Sequence, residues 1–155
     1  MAGEKQKVAA WSVLAAVVMT GMKLVVGIVT GSLGILSEAL HSGLDLVAAV
    51  ITWFSVRISD RPPDRHHHFG HGKVENFSAL VETILLLITC IWIIYEAIHR
   101  LVTGETIIEV NIFSYLVVII SIIIDYGRSR ALYRAARKYH SQALEADALH
   151  FSTDI

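Results

Sequence analysis

Three stretches of this chain, residues 8–31, 33–56 and 77–98, are apolar nearly all the way round a helix, and that leaves few folds open. A helix on the surface of a soluble bundle keeps a polar face. A run of about 20 apolar residues instead matches the hydrocarbon thickness of a bilayer. With 54% hydrophobic residues and only two prolines, a chain of 155 residues is too apolar and too unbroken for an ordinary soluble domain. The fold class is therefore an all-α membrane protein, a transmembrane helical bundle. The first run is long enough to span and lacks a small-residue cleavage site, so it is expected to stay as an anchor. Cys90, inside an apolar run, has no cysteine to pair with in the chain and reads as a small buried hydrophobe.

The expected spans are residues 8–30, 33–56, 77–98 and 110–132, with a loop at 57–76 and a partial fifth span at 141–155. The uncharged part of the fourth, 112–124, covers about 20 Å at 1.5 Å per residue, so that helix must continue through Asp125 toward Leu132 to cross. The fifth, at about 22 Å, is too short to cross and would leave a carboxylate in hydrocarbon, so the chain is expected to be a fragment that stops inside this helix. The net charge of −1 hides a segregation. Basic residues gather at the start (Lys5, Lys7), after the second span (Arg57, Arg61, Arg65, Lys73) and after the fourth (Arg128, Arg130, Arg134, Arg137, Lys138). The first connection has none, and in the third Arg100 is balanced by Glu105 and Glu109. The positive-inside rule then puts the N-terminus in the cytoplasm and makes the protein multi-pass and integral to a membrane, the plasma membrane being the expected one. Gly27 and Gly31, four apart, offer a flat face for close helix contact, and Lys23 is expected to snorkel to the interface.

Glu38, His41 and Asp45 are titratable groups inside an otherwise apolar helix, where an ionised side chain costs a few kcal/mol and must face protein or water. His41 and Asp45 are one turn apart and project from one face; His150 and Asp154 repeat the H-x-x-x-D pattern in the fifth segment. Two imidazoles and two carboxylates suit a tetrahedral, borderline-soft divalent cation: Zn²⁺ first, with Cd²⁺, Co²⁺ and Fe²⁺ also accommodated, whereas Mg²⁺ and Ca²⁺ want oxygen alone. Haem ligated axially by His41 and His150 is the other reading of the histidines, but it leaves an aspartate one turn from each ligand beside an apolar macrocycle. Glu38, Glu75, Glu145 and Asp147 can form an acidic approach, and Glu82 has no assigned role. Binding requires neutral imidazole and ionised carboxylate, so protons and metal compete for the same groups, a coupling that needs no covalent chemistry, enzyme activity or cofactor.

Three segments together resemble the transmembrane domain of the cation diffusion facilitator family: Ser32 to Asp45, with the sequence SLGILSEALHSGLD; Phe69 to Glu75, FGHGKVE; and Ala146 to Asp154, ADALHFSTD. The resemblance covers nearly the whole chain. It implies a proton-coupled antiporter that exports zinc or related divalent cations, with His41, Asp45, His150 and Asp154 as the transport site and the His-Asp plus His-Asp combination pointing to the zinc-preferring branch. It also implies an accessory metal site in the second loop, where Asp64, His67 and His71 match a D-x-x-H-x-x-x-H spacing and His66 and His68 are available as substitutes. Family members have six spans and a cytoplasmic metal-binding domain through which they form a homodimer; the rest of the fifth span, the sixth and that domain are absent from this sequence. The partners implied are divalent ions, protons and the bilayer, with no nucleic acid. The competing class is a membrane protein that binds metal without moving it, a sensor or a truncated partner subunit.

Overall fold

The computed structural model describes residues 2–104, 112–153 and 155. Five helices follow in order: α1 (Ala2–Thr30), α2 (Leu33–Ser59), α3 (Lys73–Thr103), α4 (Ile112–Tyr139) and α5 (Gln142–Thr153). The first four are long and apolar enough to cross a membrane. Asp154, and Glu105, Glu109 and Asn111 of the expected third connection, lie outside the described residues.

The helices outrun the apolar stretches at several ends. α1 begins at Ala2, α3 at Lys73, and α4 continues to Tyr139. A backbone in hydrocarbon satisfies its polar groups by staying helical, and a helix so nucleated adds one bond for each further residue, so it propagates past the point where side chains turn polar. Ser32 caps α2, its side chain accepting from Ile35 N at 3.4 Å; Gly104, in the left-handed region at φ +69°, ends α3.

Burial is inverted relative to a soluble protein. Val25, Ile91, Trp92, Ile94, Ile119 and Ile123 point outward, while Lys23, Asp45, Glu82, Asp125, Arg128, Asp147 and His150 are buried. A bundle with apolar side chains outside and ionisable ones inside is a membrane protein. The inversion corrects two expectations. Cys90 is exposed, because in this medium an apolar side chain gains nothing by facing inward. Lys23 does not snorkel: it is 3% exposed, and its Nζ donates to Glu38 at 2.8 Å and to Ser42 Oγ at 2.7 Å, partners that satisfy it inside the bundle.

Packing is carried by small residues. Ala9 and Ala16 of α1, Ala49 of α2, Ala135 and Ala136 of α4, and Ala143 and Ala148 of α5 join Val56, Leu132, Leu144 and Phe151 in one buried cluster. Short side chains let the backbones approach, and α5 contacts α2, α3 and α4. Gly27 and Gly31, expected to offer one flat face, turn out to do different work. Gly31 makes the turn at φ +66°, with open space where a Cβ would stand, and Gly27 makes the close contact. A Cβ on Gly27 would lie 2.8 Å from Leu36 Cδ2 and 3.1 Å from Leu36 N. Gly27→Ala is therefore expected to destabilise the α1–α2 pair by about 1–3 kcal/mol, the usual cost of overpacking, seen as a lower unfolding midpoint in detergent. An unchanged midpoint would mean that Leu36 swings clear at no cost.

Candidate metal centre

His41 and Asp45 sit one turn apart on the inner face of α2, and α5 delivers His150 to the same place. His150 Nε2 lies 3.0 Å from Asp45 Oδ1, and His41 Nε2 lies 3.9 Å from that same oxygen. His150 is 2% exposed, held by α5 packing on three helices, with Phe151 beside it in an edge-on ring contact at 5.4 Å. With its proton on Nε2, the His150 ring donates to Asp45, and a divalent ion held by both groups would have to replace that proton. Three of the four residues expected from the H-x-x-x-D repeats are thus brought around one carboxylate oxygen, and Asp154, the fourth, lies outside the described residues. The donor set formed by these three is two nitrogens and a carboxylate.

A polar route leads toward this point from one end of the bundle, and a knot of polar groups closes the other. At the α1–α2 turn a vestibule of about 430 Å³ is lined by Gly31, Ser32, Glu38, Arg100 and Ser114. Below it Lys23 bridges Glu38 and Ser42, and Ser42 in turn lines a cavity of about 10 Å³ together with Asp45, Asp125 and Arg128, room for roughly one water. At the opposite end of the bundle Lys5 pairs with Glu75 and, at 3.3 Å, with Asp60, while Ser59 and Ser141 also donate to Glu75. That knot ties α1, α2 and α3 to the start of α5.

Sequence reasoning did not find Arg128. Its guanidinium donates to Ser12 Oγ at 3.1 Å and to Asp125 at 3.3 Å, and stacks on Phe151 with 3.6 Å between its central carbon and the ring centre. One side chain thereby joins α1, α4 and α5 next to the candidate metal centre. Its signal in the sequence was Asp125 three residues earlier, the spacing of a helical ion pair, though nothing there distinguished it from the arginines that follow.

The loop between α2 and α3 holds a second cluster. Asp64, His67 and His71 have ligand atoms all within 4.8 Å of one another, and no other group of three among the described residues meets that test. His67 Nδ1 is 3.0 Å from Asp64 Oδ1, and His71 Nε2 is 3.5 Å from Asp64 Oδ2. Gly70, at φ +76°, turns the chain so that His71 comes back toward Asp64, with its N–H donating to the His67 carbonyl at 3.0 Å. His66 and His68 stay outside the cluster. The backbone N–H groups of His66 and then His67 donate to Asp64 and hold its carboxyl below the ordinary aspartate range. A carboxyl lowered by folding contributes to loop order above its unfolded value of about 3.9, and that contribution is lost only as the pH falls through the lower folded value. The Asp64 carboxyl carbon resonance is expected to titrate with its midpoint below about 3.9, and a midpoint at or above that value would show that these backbone contacts do not form.

The chain matches the family model described as the cation efflux transmembrane domain over residues 9–155. It is 31% identical to the manganese efflux system protein MneP of Bacillus subtilis (strain 168), over 100% of this chain and 53% of that protein. It is 33% identical to the cation-efflux pump FieF of Yersinia pestis (strain Pestoides F), over 81% of this chain and 42% of that protein. An uncharacterised transporter of Synechocystis is 32% identical over 93% of this chain and 46% of its own length. The chain spans about half the length of the curated relatives it matches.

Proposed function

This chain belongs to the cation efflux family, and from that premise we propose that it carries divalent metal ions, Zn²⁺ first, out of the cytoplasm in exchange for protons, through a site made by His41, Asp45, His150 and Asp154. The observation that carries the reading is the approach of His150 from α5 to the oxygen that His41 also faces on α2. Two helices that each bring an imidazole to one carboxylate make a site that needs both in place, and it comes apart when they shift relative to one another. Protons and metal compete there, since the metal takes neutral imidazole and ionised carboxylate. A proton supply from one side therefore displaces an ion loaded from the other.

The two ends of the bundle support an alternating path. The end rich in lysine and arginine, taken as cytoplasmic, is closed by the Lys5–Glu75 knot, while the vestibule at the α1–α2 turn is open toward Glu38. The Asp64–His67–His71 cluster lies on the closed side, in a position to take up metal there. Cd²⁺, Co²⁺ and Fe²⁺ suit the same nitrogen and oxygen donors. Manganese is the second reading, favoured by the likeness to MneP, whose name assigns it manganese efflux; the two imidazoles favour zinc.

The test is transport by the protein reconstituted in vesicles, with a metal-sensitive dye inside and a pH step across the membrane. Zinc flux that follows the pH step and stops when an ionophore collapses it is the expected result. Zinc flux indifferent to the gradient would overturn the exchange, and manganese flux exceeding zinc flux would overturn the assignment of zinc.

A further inference from the structure

Between the metal centre and the Lys5–Glu75 knot, α2, α3 and α5 meet along a seam of buried polar side chains. The two helices α2 and α3 run in opposite directions there. Thr52 donates to Glu82, and seven residues on Ser59 donates to Glu75, seven residues back. That register sets Ser55 against the stretch of α3 that holds Ser78. Just before α5, Ser141 meets Glu75, and from that contact α5 runs alongside α3, so that Asp147, six residues on, and Glu82, seven residues on, come to a similar level, where the charge of Asp147 acts on Glu82. Glu82 is 1% exposed and Asp147 is wholly buried.

Three oxygens in this seam have no hydrogen-bond partner among the described residues: Glu82 Oε2, Asp147 Oδ1 and Ser55 Oγ. The other carboxylate oxygens are served, Glu82 Oε1 by Thr52 and by Ser78 at 3.0 Å, and Asp147 Oδ2 by Ser12 at 3.2 Å. An orphaned buried polar atom is costly, and two neighbouring carboxylates in hydrocarbon are costlier still unless a positive charge joins them. Among the described residues the guanidinium of Arg128 is bonded to Asp125 and Ser12, and no cationic side chain is bonded to Glu82 or Asp147.

We propose that Glu82 and Asp147, with the hydroxyls of Thr52 and Ser55, form a second intramembrane cation site, one helical turn along α5 from His150 and toward the Lys5–Glu75 end. Its donors are all oxygen, so it takes a hard divalent ion, Mn²⁺ or Mg²⁺, in preference to Zn²⁺. The two carboxylates neutralise the ion and the ion takes up the orphaned lone pairs, so the need for charge and the need for a hydrogen-bond partner are met together. The site claims binding only, so it stands apart from the transport reading, and its donor set separates it from the histidine centre.

The test counts Mn²⁺ by the loss of the free-ion electron spin resonance signal. It uses the whole protein with the loop cluster disabled by Asp64→Asn, His67→Ala and His71→Ala, and with zinc present at one equivalent to fill the histidine centre. One bound Mn²⁺ is expected, displaced by excess Mg²⁺, weakened at least tenfold by Glu82→Gln and by Asp147→Asn, and kept in His41→Ala. Both carboxylate variants are near-isosteric and are expected to retain zinc, which shows that they are folded. Mn²⁺ binding unchanged in Glu82→Gln, or absent from the parent protein because the carboxylates share protons instead, would overturn the site. Mn²⁺ lost in His41→Ala but kept in Glu82→Gln would place the ion in the histidine centre and overturn it equally. Failure of the zinc reading would show separately, as absence of zinc binding by the parent protein.

Discussion

Replacing Asp45 by asparagine is expected to lower zinc flux by more than about 100-fold, since groups that merely support a metal ligand already account for about 10–100-fold. Asp45 Oδ1 is the atom that His150 approaches to 3.0 Å and His41 to 3.9 Å, so it is shared by both imidazoles. Asparagine keeps the shape and an oxygen that accepts from His150, but it carries no charge to neutralise a divalent ion in a medium where uncompensated charge is heavily penalised. Removing that negative charge from the interior relieves desolvation, so the variant is expected to unfold at or above the parent midpoint. Loss of transport without loss of stability separates a ligand from a structural residue. Near-normal flux in Asp45→Asn would remove the centre from the transport path, and a large drop in midpoint would make Asp45 a packing residue instead. His41→Ala, whose imidazole stands farther from the shared oxygen, is expected to lose flux as well, with rescue refused to His41→Asp for zinc selectivity because a nitrogen donor has been exchanged for a harder oxygen.

What could be read in advance followed the range of the interaction. His41 and Asp45 are four apart on one helix, so spacing alone brings them together; Asp64, His67 and His71, which the family resemblance implied, lie within one short loop. The pairing of His150 with Asp45 crosses 105 positions and needs α5 to be packed inside the bundle, which periodicity does not encode. Apolar runs identify a span well but say little about its rotation, because in lipid the outward face is as apolar as the packing face. Rotation is decided by the few polar residues, and each needs its partner to be known. Lys23 read as a residue that snorkels because Glu38 and Ser42 lie across the turn on the next helix; Cys90 read as buried because apolar character was equated with the interior. Glu82 and Asp147 looked unrelated, one on α3 and the other on α5, until the packing of α5 against α3 brought them to a similar level in the bundle.

The same logic makes Arg128 the residue whose loss should matter most to the bundle itself. Arg128→Met, which preserves length and apolar volume, is expected to destabilise the protein by about 3–5 kcal/mol, the usual consequence of removing one partner from a buried ion pair. The Asp125 carboxylate then stays in the interior without the guanidinium that lies 3.3 Å away, and Ser12 and the Phe151 ring lose the group that links α1 and α4 to α5. Arg128→Lys keeps the charge but not the planar fork, so it is expected to fall between parent and Arg128→Met. The informative variant is the double one. Asp125→Leu together with Arg128→Met removes both charges, and a buried pair replaced by apolar groups of similar volume is often as stable as the original. Recovery of most of the lost stability in the double variant would show that the cost lay in a stranded charge. If it stays as unstable as Arg128→Met, the stack on Phe151 and the bond to Ser12 are what hold α5, and with it His150, in place. A parent-like midpoint for Arg128→Met alone would mean that Arg128 does not organise the bundle at all.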